Sequence, residues 1–455
     1  MTKKSFEAQG KPYQRTVFGN GARLILVPME GVNSVATAVM VGVGSRYETP
    51  KINGISHFLE HMVFKGTEKY PTTEDVNTIE RAGGLQNAYT DIDITNYHNK
   101  VLASDWELAL DINKELALHP RLEQKYVDKE RDVILEEMKR YEDEPEAKVD
   151  ETFHSMMYPG TKLGMRIIGE EQSLRDSDAG TLRNYHDAWY KPSRLVVVLA
   201  GRMTNNEVRI TKKTEEWFGG DPASSSRMRG SALEADSRLR GNDTFVEGGF
   251  EKVVEKQEKP QVAVITKPDA QQAHLMIGLR AFARNSEDRF AWSVFNLLMG
   301  VSFTSRLFKE IREKRGLCYH IRSMNNTWAD VGNWVIYAGV ATAKVEETTS
   351  AIMVELAKAR EKGVTDEEVA VAKKRFKTIM AFRSEDPEYM GEYYGRQELF
   401  DMPMMTLDEH IAKIESVTKD DINKLIKKYI KENTLNLALV WNKPKDEKLE
   451  KLLKL

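Results

Sequence analysis

Residues 54–66 read GISHFLEHMVFKG. Their apolar spacing predicts a helix from about Gly54 to Lys65, with Gly66 placed to end it. On a helix, residues three and four apart share a face, so His57, Glu60 and His61 project to one side. Two imidazoles so placed can grip one Zn²⁺ while a carboxylate stands beside them, within reach of a water. With 9 histidines in the chain, a chance H-x-x-E-H should turn up about once in fifty to a hundred such sequences. The bland alternative is two half-buried histidines satisfied by backbone carbonyls. A catalytic zinc takes three protein ligands and keeps a fourth position open. Candidates for the third lie in VDKERDVILEEMKRY, residues 127–141. There Val127, Ile134, Leu135, Met138 and Tyr141 are packing positions, and Glu130 and Glu137, two turns apart, share a face. A solvated acidic stripe of Glu130, Glu136 and Glu137 among Lys and Arg would look the same.

Around this helix the chain reads as strands first, then helices. Residues 14–27 form a hairpin about Gly19-Asn20-Gly21. Residues 35–43 are apolar and rich in β-branched types, and strand-like alternation covers 85–101. Residues 106–142 are helical, broken at His119-Pro120. Residues 195–200 read as a buried strand closing the first half. Residues 219–244, rich in Gly, Ser, Asp and Arg, read as a linker or insertion. The second half repeats the outline: strands at 261–266 and 274–279, helices at 288–299 and 304–314, strands at 319–325 and 332–339. Long charged helices follow at 345–362 and 366–384. The expectation is an α+β fold of two domains, 1–218 and 245–455.

Composition excludes more than it names. The 455 residues carry 67 Lys+Arg against 70 Asp+Glu, a net charge of −3, which removes the basic footprint of a nucleic-acid binder. At 41% hydrophobic and 30% charged the chain is too apolar to be disordered. No apolar run nears the roughly 18 residues of a membrane span. One cysteine rules out an intrachain disulfide and a cysteine-rich zinc module, and favours a reducing compartment. Met1-Thr2-Lys3-Lys4-Ser5 leads into no apolar segment, so no secretory signal is expected. Cys318 reads as a small core residue. The leucine face of residues 447–455 reads as a docked terminal helix.

HFLEHMVFKGT (57–67), GGLQNAYTDIDITNY (83–97) and ERDVILEEM (130–138) together resemble the M16, pitrilysin-type, zinc peptidases. The size and two-half layout are similar to bacterial peptidases and the mitochondrial processing peptidase β subunit. The resemblance implies two homologous α+β domains, each a mixed sheet covered by helices, forming half of a clam-shell chamber. It implies a third ligand 76 positions after the second histidine, which is Glu137, so that His57, His61 and Glu137 hold one Zn²⁺ per chain. Glu60 would be the general base, and Glu130 would orient a ligand imidazole. GGLQNAYT resembles the family's substrate strand, with Asn87, Ala88 and Thr90 carried over as peptide-binding positions; an internal strand with Asn87 capping a turn is the plain alternative. In SRLFKEIREKRGLCYHIRS (305–323), Arg312 and Tyr319 match the family's Arg and Tyr, which serve the oxyanion or the substrate backbone. Read without the family, Arg312 is one solvated cation among several and Tyr319 a strand core residue. LLMGVSFTSRLF (297–308) holds only Gly300 where the family shows a Gly-rich turn.

The function expected from this resemblance is a zinc metalloendopeptidase cleaving peptides or extended polypeptide segments. Because the chain carries both HFLEH and the Arg312/Tyr319 pair, a homodimer is expected, with a heterodimer beside a related chain as the variant. Two alternatives are a processing subunit active only with a different partner and a non-catalytic scaffold subunit. Cytoplasm is the default address, with the mitochondrial matrix as the other option.

Overall fold

A computed structural model describes residues 5–6, 11–203, 205–220, 250–254 and 256–455. The expected linker at 219–244 therefore falls outside the described residues from position 221 onward.

The apolar runs form two sheets. The first holds β1 (Ser5–Phe6), β2 (Gln14–Val17), β3 (Arg23–Pro28), β4 (Ser34–Val41), β5 (Leu85–Thr90), β6 (Thr95–Leu102) and β7 (Leu195–Gly201), in the order β1-β2-β3-β7-β4-β6-β5. The second holds β8 (Gln261–Thr266), β9 (Gln272–Ala281), β10 (Cys318–Thr327), β11 (Gly332–Ala341) and β12 (Leu435–Trp441), in the order β10-β11-β9-β12-β8. Among the described residues only β3 with β7 and β8 with β12 pair in parallel, so both sheets are mixed. Leaving out β1 and β2, the two strand orders are the same under a shift of five. The duplication is topological, with little residue identity to announce it. β7, LVVVLAG, and β12, LNLALVW, are buried at every position, the pattern of a strand covered on both faces.

The helices that matter for the site are α1 (Ile55–Val63), α2 (Gln124–Asp143), α3 (Pro145–Met157), α4 (Asp366–Arg383) and α5 (Pro387–Leu399). The chain divides into two compact units. One is Met1–Glu136, Met165–Phe250 and Phe382–Thr406; the other is Glu137–Gly164, Glu251–Ala381 and Leu407–Leu455. The sequence halves thus exchange helices. α3 packs on β8, β9 and β12, while α5 packs on β3, β4 and β7. Each follows a long helix and starts at a proline, whose fixed φ suits a first turn and whose missing N–H costs nothing there. Close seating needs glycine. A Cβ on Gly395 would lie 2.7 Å from Met40 Sδ, and one on Gly278 would lie 2.5 Å from Phe153 Cζ.

Some local readings change. The helix expected over 304–314 is wound as a π-helix across Phe308–Lys314. Residues 447–455 do dock: Glu447–Leu452 is helical, with Leu449 and Leu453 fully buried. Among the described residues no helix is long and apolar enough to cross a membrane.

Candidate metal centre

α1 is nine residues, ISHFLEHMV. Ile55, Ser56, Phe58, Leu59, Met62 and Val63 are buried, which leaves His57, Glu60 and His61 on the half-open face. α2 buries Val127, Ile134, Leu135 and Met138, so its inward stripe also turns Glu130 and Glu137 away from solvent, while Glu136 stays exposed. One ligand atom each from His57, His61 and Glu137 lies within 4.8 Å of the others. The boundary between the compact units falls between Glu136 and Glu137, inside the continuous helix α2.

Glu130 completes the arrangement. It is 6% exposed, and its Oε1 lies 3.0 Å from His61 Nδ1, with Lys65 Nζ 2.7 Å from Oε2. Burial alone would raise its pKa; the bonds from His61 and Lys65 outweigh that and hold it below the ordinary value. An ionised Glu130 accepts the Nδ1 proton, which fixes the tautomer and leaves Nε2 as the unprotonated ring nitrogen, the form able to ligate a metal. His57 and His61 stand with ring centroids 4.6 Å apart. Two imidazoles and a carboxylate form the nitrogen-and-oxygen donor set that catalytic zinc takes, and a three-ligand set leaves a position open. Zinc fits these residues. Glu60 stands three residues after His57 and next to His61, and its charge reaches the buried phenols Tyr97 and Tyr190, which share a 2.7 Å bond. Burial chiefly, then mutual interaction and Glu60, keeps Tyr97 well above its usual range.

β5 is the edge strand of its sheet. The turn bond from Asp91 N–H to the Ile94 carbonyl sets the alternation, so that Gln86, Ala88 and Thr90 direct backbone groups off the edge. In agreement, the Ala88 N–H is taken by its neighbour's side chain, Asn87 Oδ1, at 2.9 Å. The edge position removes the reading of β5 as an internal strand.

Arg312 and Tyr319 belong to the other unit. Tyr319 is 60% exposed and sits where the β10–β11 register slips between Cys318 and His320; such a bulge re-aims a side chain. It is therefore not a core residue. Arg312 lies over the Phe308 ring at 4.9 Å. Burial, then Arg322, and more weakly Arg312, lower His320, which places Arg312 beside the strand carrying Tyr319. Cys318 is buried, its thiol pushed up to about 11 by that burial, so it is no nucleophile at neutral pH.

One set of residues escaped the sequence reading. Glu48 is fully buried and accepts from Gly54 N–H at 2.7 Å, Ser56 N–H at 2.8 Å and Asn53 Nδ2 at 2.9 Å. Burial pushes its carboxyl up to about 7 against those bonds. Its signal was an acid just ahead of a helix whose cap, Gly54, has no side chain to offer.

Residues 24–171 match the model of insulinase (peptidase family M16), and residues 178–376 that of the peptidase M16 inactive domain. The chain is 32% identical over 421 residues to YmxG of Bacillus subtilis, named an uncharacterized zinc protease, covering 92% of this chain and 96% of that one. The chain belongs to the M16 peptidase family. A second M16 relative, an uncharacterized zinc protease of Streptomyces coelicolor, is 31% identical over 409 residues, 90% of this chain and 85% of its own. Among solved structures, a protease from Helicobacter pylori superposes with TM-score 0.82 at 21% identity, covering 94% of this chain and 99% of that one. The first half of the periplasmic protease PqqL from Escherichia coli gives 0.73 at 18%, covering 98% and 94%. At those identities the structures carry the fold alone. This M16 chain is a zinc metallopeptidase, a hydrolase of peptide bonds.

Proposed function

We propose that this M16 peptidase is an endopeptidase for extended peptide segments, with one zinc per chain on His57, His61 and Glu137. The approach of those three groups to within 4.8 Å carries the reading. Zinc, when bound there, supplies a Lewis acid that polarises the scissile carbonyl and makes water acidic enough to attack near neutral pH. Glu60 takes the proton of the attacking water and passes it to the leaving amine. Glu130 holds the His61 ring in place. The free edge of β5 receives the peptide by main-chain hydrogen bonds, a mode that reads extension more than side chains, with Asn87, Ala88 and Thr90 aligning it. Arg312 and Tyr319 donate to the oxyanion or the substrate backbone.

Two copies complete the chamber. The chain covers 50% of whole PqqL at TM-score 0.74, which supports an assembly of two such folds, here a homodimer. Its place is the cytoplasm, checked by cell fractionation. Glu60→Gln should keep its zinc by elemental analysis and lose turnover by about a hundredfold or more. Near-full activity in that variant would remove Glu60 from the base role.

A further inference from the structure

α1 is short and must hold two ligands and the base at fixed positions, yet its own N-terminus is poorly equipped. Gly54 stands at φ 93° and provides no side-chain cap, so the first N–H groups of the helix need an outside acceptor. Glu48 supplies it. One oxygen, Oε2, takes Gly54 N–H and Asn53 Nδ2, and the other, Oε1, takes Ser56 N–H. Three donors and a helix N-terminus converge on one buried carboxylate, an arrangement that suits a negative charge.

The carboxylate is itself fixed from two sides. Its own segment is tied to the β5–β6 turn, where Ser45 N–H and Arg46 N–H donate to the carbonyls of Asp91 and Ile92. A Cβ on Gly44 would lie 2.1 Å from the Asp91 carbonyl oxygen, so the two backbones are in contact. On the helix side, Asn53 Nδ2 also donates to the Arg166 carbonyl at 2.9 Å, and Ser173 Oγ donates to the Asn53 carbonyl. Ser56 Oγ and the Tyr185 hydroxyl lie 2.7 Å apart. Gly54 and Gly169 touch backbone to backbone; a Cβ on Gly54 would meet Gly169 Cα at 2.7 Å.

We propose that Glu48 is a positioning residue: it joins the turn of the substrate strand to the N-terminus of α1 and so sets His57, Glu60 and His61 against the peptide edge. This rests on the zinc peptidase reading above. Glu48 touches neither metal nor substrate. It acts through Gly54 and Ser56, the residues that start the helix.

The test uses Glu48→Gln in the full chain. Gln has the same shape but only one accepting oxygen, so either Gly54 with Asn53 or Ser56 loses its acceptor. The expected result is a folded protein by circular dichroism whose zinc affinity, by chelator competition, falls about tenfold or more. Its cobalt-substituted absorption spectrum should shift from wild type, and kcat should drop at least about tenfold with KM within about twofold. A folded Glu48→Gln with wild-type cobalt spectrum, zinc affinity and kcat overturns the proposal. Where Glu48→Gln does not fold, Asn53→Ala carries the test. That variant leaves Glu48 its backbone donors and removes the side chain that aims it, so the same shifts should appear at about two- to fivefold; none appearing overturns the proposal. Failure of the underlying reading looks different, because the wild-type chain itself would then bind no zinc or cleave no peptide.

Discussion

Glu136 and Glu137 are neighbours in the chain, yet one is exposed and the other faces His57 and His61. Spacing within α2 could not choose between them, because the choice is made by which face the buried Ile134, Leu135 and Met138 turn inward. The histidine pair was legible because i and i+4 on one helix is a local relation. Glu48 was not, since its partners lie five, six and eight residues on, across the 3₁₀ turn Pro50–Ile52. A titration outside the metal site checks the packing of the second unit at this scale. His410 is set against Phe290 and Phe376, with ring centroids at 5.5 and 5.2 Å. Burial, helped by Arg289, lowers its pKa from 6.5 to about 4. As pH falls, the unfolded chain takes up this proton first, so the stabilisation is complete above 6.5 and gone by about 4. Urea unfolding should show wild type losing up to about 3 kcal/mol more than His410→Phe between pH 7 and pH 4. Parallel curves would mean that His410 titrates normally.

At the scale of elements, periodicity located most strands of both sheets, because a buried strand such as 195–200 announces itself by composition; β1 and the buried β12 (Leu435–Trp441) went unread. Sheet order was invisible. Nothing in LQNAYT says that β5 lies at an edge, since that follows from which strands pair elsewhere. The π-helical turn over Phe308–Lys314 was equally hidden, because its apolar pattern fits an α-helix. The edge assignment makes a specific demand. Proline is tolerated where the lost N–H points off a sheet, and the Ala88 N–H bonds its own neighbour rather than β6. Ala88→Pro should therefore fold and retain zinc while kcat/KM on peptides falls about tenfold or more, as the peptide loses a main-chain partner. A variant with wild-type kcat/KM would place the peptide elsewhere.

For the whole molecule, two α+β halves were readable from the recurrence of strands and long helices, and the shared strand order gives that recurrence a structural meaning. The exchange of α3 and α5 was not readable, because Pro145 and Pro387 mark where a helix starts and not which sheet it covers. A chamber of two chains predicts complementation. His61→Ala and Tyr319→Phe homodimers should each be impaired, and co-expression should restore about a quarter of wild-type activity. Half the dimers are then mixed, and each has one intact site of two. Mixed dimers, identified by mass, without recovered activity would place the Arg312/Tyr319 contribution within its own chain.

The proposed zinc on His57, His61 and Glu137 should be what makes this chain a peptidase. Stripping the purified chain with a chelator and titrating zinc back while following cleavage of a peptide tests it directly. Activity should rise linearly and break at one zinc per chain, with His61→Ala flat throughout. Cleavage by the zinc-free chain, or a zinc-loaded chain that stays inert, would contradict it.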